Sequence, residues 1–138
     1  MKYLAKKEGR EDEFFIVSKA THMDEIWNGI GSHIYPPAQA EMKRNGIPFD
    51  SSKRATLLER SDVDKYDVFI GMDSENIRYM HRILGASADG KIHKLLECFG
   101  ENDVSDPWYS DNFELAFNDI MKGCKALLNI YKQYNTDK

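Results

Sequence analysis

The sequence predicts an α/β fold, and three observations carry that prediction. Short apolar runs rich in aromatic and β-branched residues alternate along the chain with stretches of helical period. The runs are continuous, without the in-out alternation of a half-buried strand, which is the pattern of parallel strands covered on both faces. The chain has 138 residues, 41% hydrophobic and 30% charged, the balance of one globular domain able to bury about two-thirds of its unfolded surface. No repeat, low-complexity stretch or linker divides it, so residues 1–138 are read as a single domain.

Lys2 to Lys7 reads as the end of a helix: Tyr3 and Leu4 are apolar, Lys6 and Lys7 suit a last turn, and Gly9 is a stop. A helix finishing so early is expected to be the tail of an element whose start lies upstream of Met1. Phe14 to Val17 is expected as a first buried strand, Val68 to Met72 as a second, and Ile92 to Phe99 contains a weaker third. Pro36-Pro37 opens a helix closed by Asn45-Gly46, with Lys43 and Arg44 in its last turn. Asp73 to Asn76 can cap a helix carrying Ile77, Met80 and Leu84. The longest helix is expected to start near Asp111, where Glu114 completes an acidic variant of the capping box, and to run to about Tyr131.

Charge excludes some classes. Nineteen basic against 23 acidic residues give a net charge of −4, which argues against a strongly basic nucleic-acid or anionic-membrane binder. The opening residues are charged and carry no signal-type apolar stretch, and no apolar run approaches the ~20 residues that cross a bilayer. Cys98 and Cys124 form no CxxC pair and fit a reducing compartment as two buried thiols. The cytoplasm is the expected location.

The sharpest local chemistry lies at Asp106-Pro107-Trp108-Tyr109. Proline pushes the residue before it out of the helical region, so Asp106 is expected on an extended loop. A carboxylate between a rigid proline and two aromatic walls is suited to general-acid work when partly desolvated. A plain turn before a helix fits the same spacing. Met72 to Asn76 and Ser18 to Thr21 each follow a predicted strand, and the carboxyl ends of parallel strands line a binding crevice; an N-cap cluster explains the former equally well. Trp27 lies in a glycine-containing loop, where it serves either recognition or packing. Four histidines without HxH or HExxH spacing support no metal site, and the dinucleotide, P-loop and nucleophile-elbow motifs are missing.

In order, these pieces resemble the low-molecular-weight protein-tyrosine phosphatases. The resemblance rests on VSKAT (17–21), Trp27-Asn28, EMKRNGIP (41–48) with Arg54 after it, FIGMDSEN (69–76) and DPWY (106–109), and it spans nearly the whole chain. It implies a three-layer Rossmann-like parallel sheet flanked by helices. Asp106 would be the general acid and base, and Trp27, Trp108 and Tyr109 would receive the aromatic ring. Ser18 would support the phosphate loop from behind. Substrates would be phosphotyrosine proteins or aryl phosphates, without metal or organic cofactor. An arsenate reductase on the same fold is a more distant alternative.

That family's defining Cys-x5-Arg loop is not found in these residues. Six positions after Cys98 stands Val104, and six after Cys124 stands Ile130. The resemblance sets Met1 inside the family's first helix, just past that loop, so the expectation is a chain lacking the first, central strand and inactive or nearly so. The strands at Phe14 and Val68 would then lack their shared neighbour, and exposed edges would invite self-association or a non-catalytic interaction role.

Overall fold

A computed structural model of the chain describes residues 1–21, 26–27, 30–31, 36–50, 52, 54–100, 102–105 and 112–136, with backbone alone for 26–27, 30–31 and 132–136. Helix α1 (Lys2–Lys7) ends as its sequence requires. Gly9 takes φ +69°, and Glu8, Gly9 and Arg10 N–H groups donate to Leu4, Lys6 and Ala5 carbonyls, satisfying the last turn. Arg10 then fastens the end of this helix to the last helix of the chain, at Leu128. Its Nη1 donates to the Leu128 carbonyl at 2.8 Å while Nε and Nη2 grip Glu13.

The expected strand at Phe14–Val17 does not form. Phe15 is 82% exposed and Val17 is also exposed, and among the described residues the strand pairing of the 14–21 stretch is one parallel bridge beyond this run, Ala20 to Leu57. There the Ala20 N–H donates to Thr56 O at 2.7 Å and the Leu58 N–H to Ala20 O at 2.8 Å. Strand propensity reports fitness for a pleated, half-buried surface, and no neighbouring strand among the described residues supplies one. Phe14 and Ile16 are partly buried, and the Phe14 ring lies edge-on to Tyr131 with ring centroids 6.3 Å apart.

Strands β1 (Ile26–Trp27) and β2 (Ile30–Gly31) form a minimal antiparallel pair. Helix α2 (Pro36–Arg44) ends at Gly46, φ +69°. Strands β3 (Phe69–Gly71) and β4 (Ile92–Lys94) pair in parallel, Phe69 opposite Ile92 and Gly71 opposite Lys94. Helix α3 (Ser74–Leu84) connects them and packs on one face. Gly71 allows this approach, because a Cβ there would sit 2.8 Å from Ile77 Cδ1 and 3.1 Å from the Met80 sulfur. The third predicted strand forms at the start of the stretch expected to contain it, Ile92–Lys94, and the chain turns at Glu97–Phe99 into a single 3-10 turn.

Helix α4 (Phe113–Thr136) starts near the expected place and runs further than expected. Its first turn is capped by Asn112, whose Oδ1 accepts the Leu115 N–H at 3.0 Å. Asp111, the cap anticipated from sequence, lies outside the described residues. Successive strand residues face opposite sides, and the sheet accordingly separates two cores. Phe69 joins Leu58, Val63, Met80, Leu84 and Ala88 beneath α3. Ile70 packs against Leu4, Ala5, Leu95, Leu96, Val104, Cys124 and Leu128, supplied largely by α1 and α4. The result is three layers with the sheet in the middle. Of the two thiols expected to be buried, Cys124 is and Cys98 is exposed.

Candidate functional site

The carboxyl end of β3 gathers three stretches that are far apart in sequence. Beyond Gly71 the chain turns at Met72-Asp73 into α3. Asp73 caps that helix by accepting the Asn76 N–H at 2.8 Å. Asn76 closes the turn from the other side, its Oδ1 accepting the Met72 N–H at 3.1 Å. Its Nδ2 reaches away and donates to Thr21 Oγ1 at 3.1 Å. One amide side chain therefore holds residues 72–76 against the end of the 14–21 segment.

Residues 103–105 are held at the same edge. The Val104 N–H donates to Met72 O at 2.9 Å, and the Ser105 N–H to Asp119 Oδ2 of α4 at 3.1 Å. Asp103 Oδ1 accepts from the Ser74 N–H at 3.1 Å and its hydroxyl at 3.2 Å, and pairs with Lys94 Nζ at 2.8 Å. Hydrogen bonding to Lys94, with smaller help from Ser74, holds the Asp103 carboxyl below its ordinary value against the opposing effect of burial. Beside these residues opens a cavity of about 440 Å³, bounded by Met1, Leu4 of α1, Met42 of α2, Met72, Asp73, Val104, Ser105 and the Phe113, Phe117 and Met121 side of α4. Its wall is mostly apolar, with Asp73 and Ser105 at the sheet edge, which suits an apolar ring carrying a polar group.

Of the residues singled out from sequence, Ser18 is exposed, just before the bridge at Ala20. Trp27 lies in β1, paired with Ile30, and its side chain is outside the described residues. Asp106, Trp108 and Tyr109 lie outside them altogether. Asp73 and Asn76 join the 20–21 and 103–105 stretches at one edge. Sequence reasoning missed Lys94, Asp103 and Asp119, which no local pattern marks: Ser74 and Asp103 are 29 positions apart. Among the described residues no group of three or more His, Cys, Asp or Glu side chains is set to hold a metal ion. No described helix is long and apolar enough to cross a membrane.

Comparison with known proteins gives a consistent picture. The family model for low molecular weight phosphotyrosine protein phosphatase matches residues 1–137. The chain is 34% identical over 102 residues to the low molecular weight protein-tyrosine-phosphatase YfkJ of Bacillus subtilis (strain 168), covering 72% of this chain and 65% of that protein. It is 34% identical over 105 residues to PtpA of Staphylococcus haemolyticus, covering 75% and 65%. Its match thus spans just under two-thirds of these curated relatives. Among solved structures, YfkJ from Bacillus subtilis superposes with a TM-score of 0.82 at 30% identity, over 96% of this chain and 82% of that one. SP-PTP, the low molecular weight protein tyrosine phosphatase of Streptococcus pyogenes, gives 0.79 at 29%, over 93% and 80%.

Proposed function

This chain belongs to the low molecular weight phosphotyrosine protein phosphatase family, and from that premise we propose that it carries the proton donor and ring-binding walls of a phosphotyrosine esterase. In the reaction a cysteine thiolate attacks phosphorus and the phenolate departs, leaving a phosphocysteine. Asp106 protonates the leaving oxygen, then takes a proton from the water that hydrolyses the phosphocysteine. Trp27, Trp108 and Tyr109 flank the ring, and Ser18 steadies the phosphate loop. Phosphotyrosine proteins of the cytoplasm are the substrate class.

The observation that supports this reading most is the convergence at the β3 edge. Met72–Asn76, Thr21 and Val104–Ser105 meet beside an apolar cavity, and chain continuity starts Asp106 from Ser105. The reaction also needs a thiolate and a phosphate cradle. Cys98 is exposed on a 3-10 turn and Cys124 is buried in the core, neither with an arginine six positions on. The 138-residue chain is therefore expected to hydrolyse aryl phosphates negligibly.

Two assays test this. Turnover by the 138-residue chain that Asp106→Asn abolishes would overturn the expectation of inactivity. A chain extended at its N-terminus with a relative's Cys-x5-Arg segment should hydrolyse an aryl phosphate, and Asp106→Asn should slow it about 10²–10⁴-fold. An unchanged rate would remove Asp106 from the mechanism. A second role, self-association, is favoured by the exposed Phe15 and Val17 on an extended segment. Light scattering after size exclusion checks it, and a stable monomer would defeat it.

A further inference from the structure

Resting on the reading of Asp106 as the acid, we propose that Lys94, Ser74 and Asp103 form a latch that positions the stretch leading into it, making Lys94 and Asp103 positioning residues for the proton transfer. Asp103 stands three residues before Asp106. One oxygen of its carboxylate receives the Ser74 N–H, the Ser74 hydroxyl and Lys94 Nζ. Lys94 Nζ also donates to Ser74 Oγ at 2.8 Å, so the three side chains close a ring. Ser74 opens α3, where unpaired N–H groups and the helix dipole favour a carboxylate. Lys94 ends β4, whose pairing with β3 fixes where its side chain departs.

The next two residues are tied as well, to different elements. Val104 is bonded to Met72, the residue after β3, and buried, and Ser105 is bonded to Asp119 on α4. Consecutive residues are thus held to α3, to the sheet and to α4, immediately before the proposed proton donor. Such restraint matters for proton transfer, because the donor must come within about 2.6–3.2 Å of the receiving atom. A misplacement of about 1 Å is enough to cost on the order of 10²-fold in rate. Lys94 and Asp103 side chains remain 19% and 47% exposed, so the latch can open without dismantling the core.

Proton–nitrogen correlation spectra of the full chain test the latch, comparing wild type with Lys94→Met, Asp103→Asn, their double variant and Lys94→Arg. The reporters are the Ser105 amide and the Trp108 indole N–H. Charge alone would displace them in opposite senses, since one variant removes a cation and the other an anion. Latch opening displaces them in the same sense in both. The double variant should go no further than the larger single one, Lys94→Arg should stay near wild type, and Ser74 amide exchange should accelerate about tenfold. Opposite displacements, or reporters that do not move, would overturn the proposal. Ser74→Ala opens the same ring from its neutral member and gives the same readout should either charge variant fold poorly. The spectra read the latch whether or not Asp106 is the acid, and the aryl phosphate assays read the acid whether or not the latch holds.

Discussion

Two apolar runs of similar composition have opposite fates in this molecule. Phe69–Gly71 becomes a strand, paired with β4 on one side and covered by α3 and the α1–α4 layer. Phe14–Val17 stays an extended segment with Phe15 and Val17 in solvent. The difference lies in what stands next to each run. A parallel ladder needs a crossover long enough to bring a second strand alongside, and α3 with its flanking turns supplies one for β3. Among the described residues the earlier run is in no strand, and the chain beyond it bridges another backbone at Ala20, opposite Leu57. Apolarity licenses burial; a partner has to provide it.

The largest expected effect lies on the knitted side. Leu84 is 1% exposed, and Leu84→Ala should cost about 2–5 kcal/mol in denaturant unfolding. A cost near zero would mean that the α3 core is looser than its packing implies. Asn76 joins the two regions, and Asn76→Ala removes its bonds to Met72 and Thr21. That change should destabilise by about 1–3 kcal/mol and speed exchange at the Met72 amide, with the 69–95 core retained.

Asp103 gives a smaller, pH-dependent effect. Its carboxyl is held below the ordinary 3.8 in the folded protein, so its contribution is fully present above that value and is lost as pH falls through the lowered one. Because the side chain is half exposed, about 1 kcal/mol is the ceiling, and salt reduces it. Wild type and Asp103→Asn should therefore differ in urea unfolding at pH 6 and converge as the pH falls through the lowered value. A gap that survives acidification would assign the effect to something other than the charge. Phe15→Ser should shift stability by no more than about 0.5 kcal/mol. A larger loss would show that its stacking on Tyr66, at 6.2 Å, anchors the extended segment after all.

Helix ends were the most legible part of the sequence. Gly9 and Gly46 stop α1 and α2 with φ near +69°, and Asp73 caps α3 as its position before Ser74 foretold. These signals are local, a residue type acting on backbone within one turn. The start of α4 was legible only to within a residue or so, because Asp111 and Asn112 are adjacent and both able to cap. Within the site, Met72–Asn76 was readable as a strand-to-helix turn. Lys94, Asp103 and Asp119 were not, since their partners are 20, 29 and 14 positions away.

By itself the sequence determined the alternation of helix and parallel strand, the caps that bound α1, α2 and α3, and the motifs that place the chain in its family. Those depend on backbone preferences and side-chain periods that act over a few residues. Only the tertiary structure decided that Phe14–Val17 would join no strand among the described residues, and that Asn76, Thr21, Asp103 and Lys94 would meet at one sheet edge. Strand pairing and charge-assisted hydrogen bonds need two groups brought together from distant parts of the chain, and no local pattern encodes the second one.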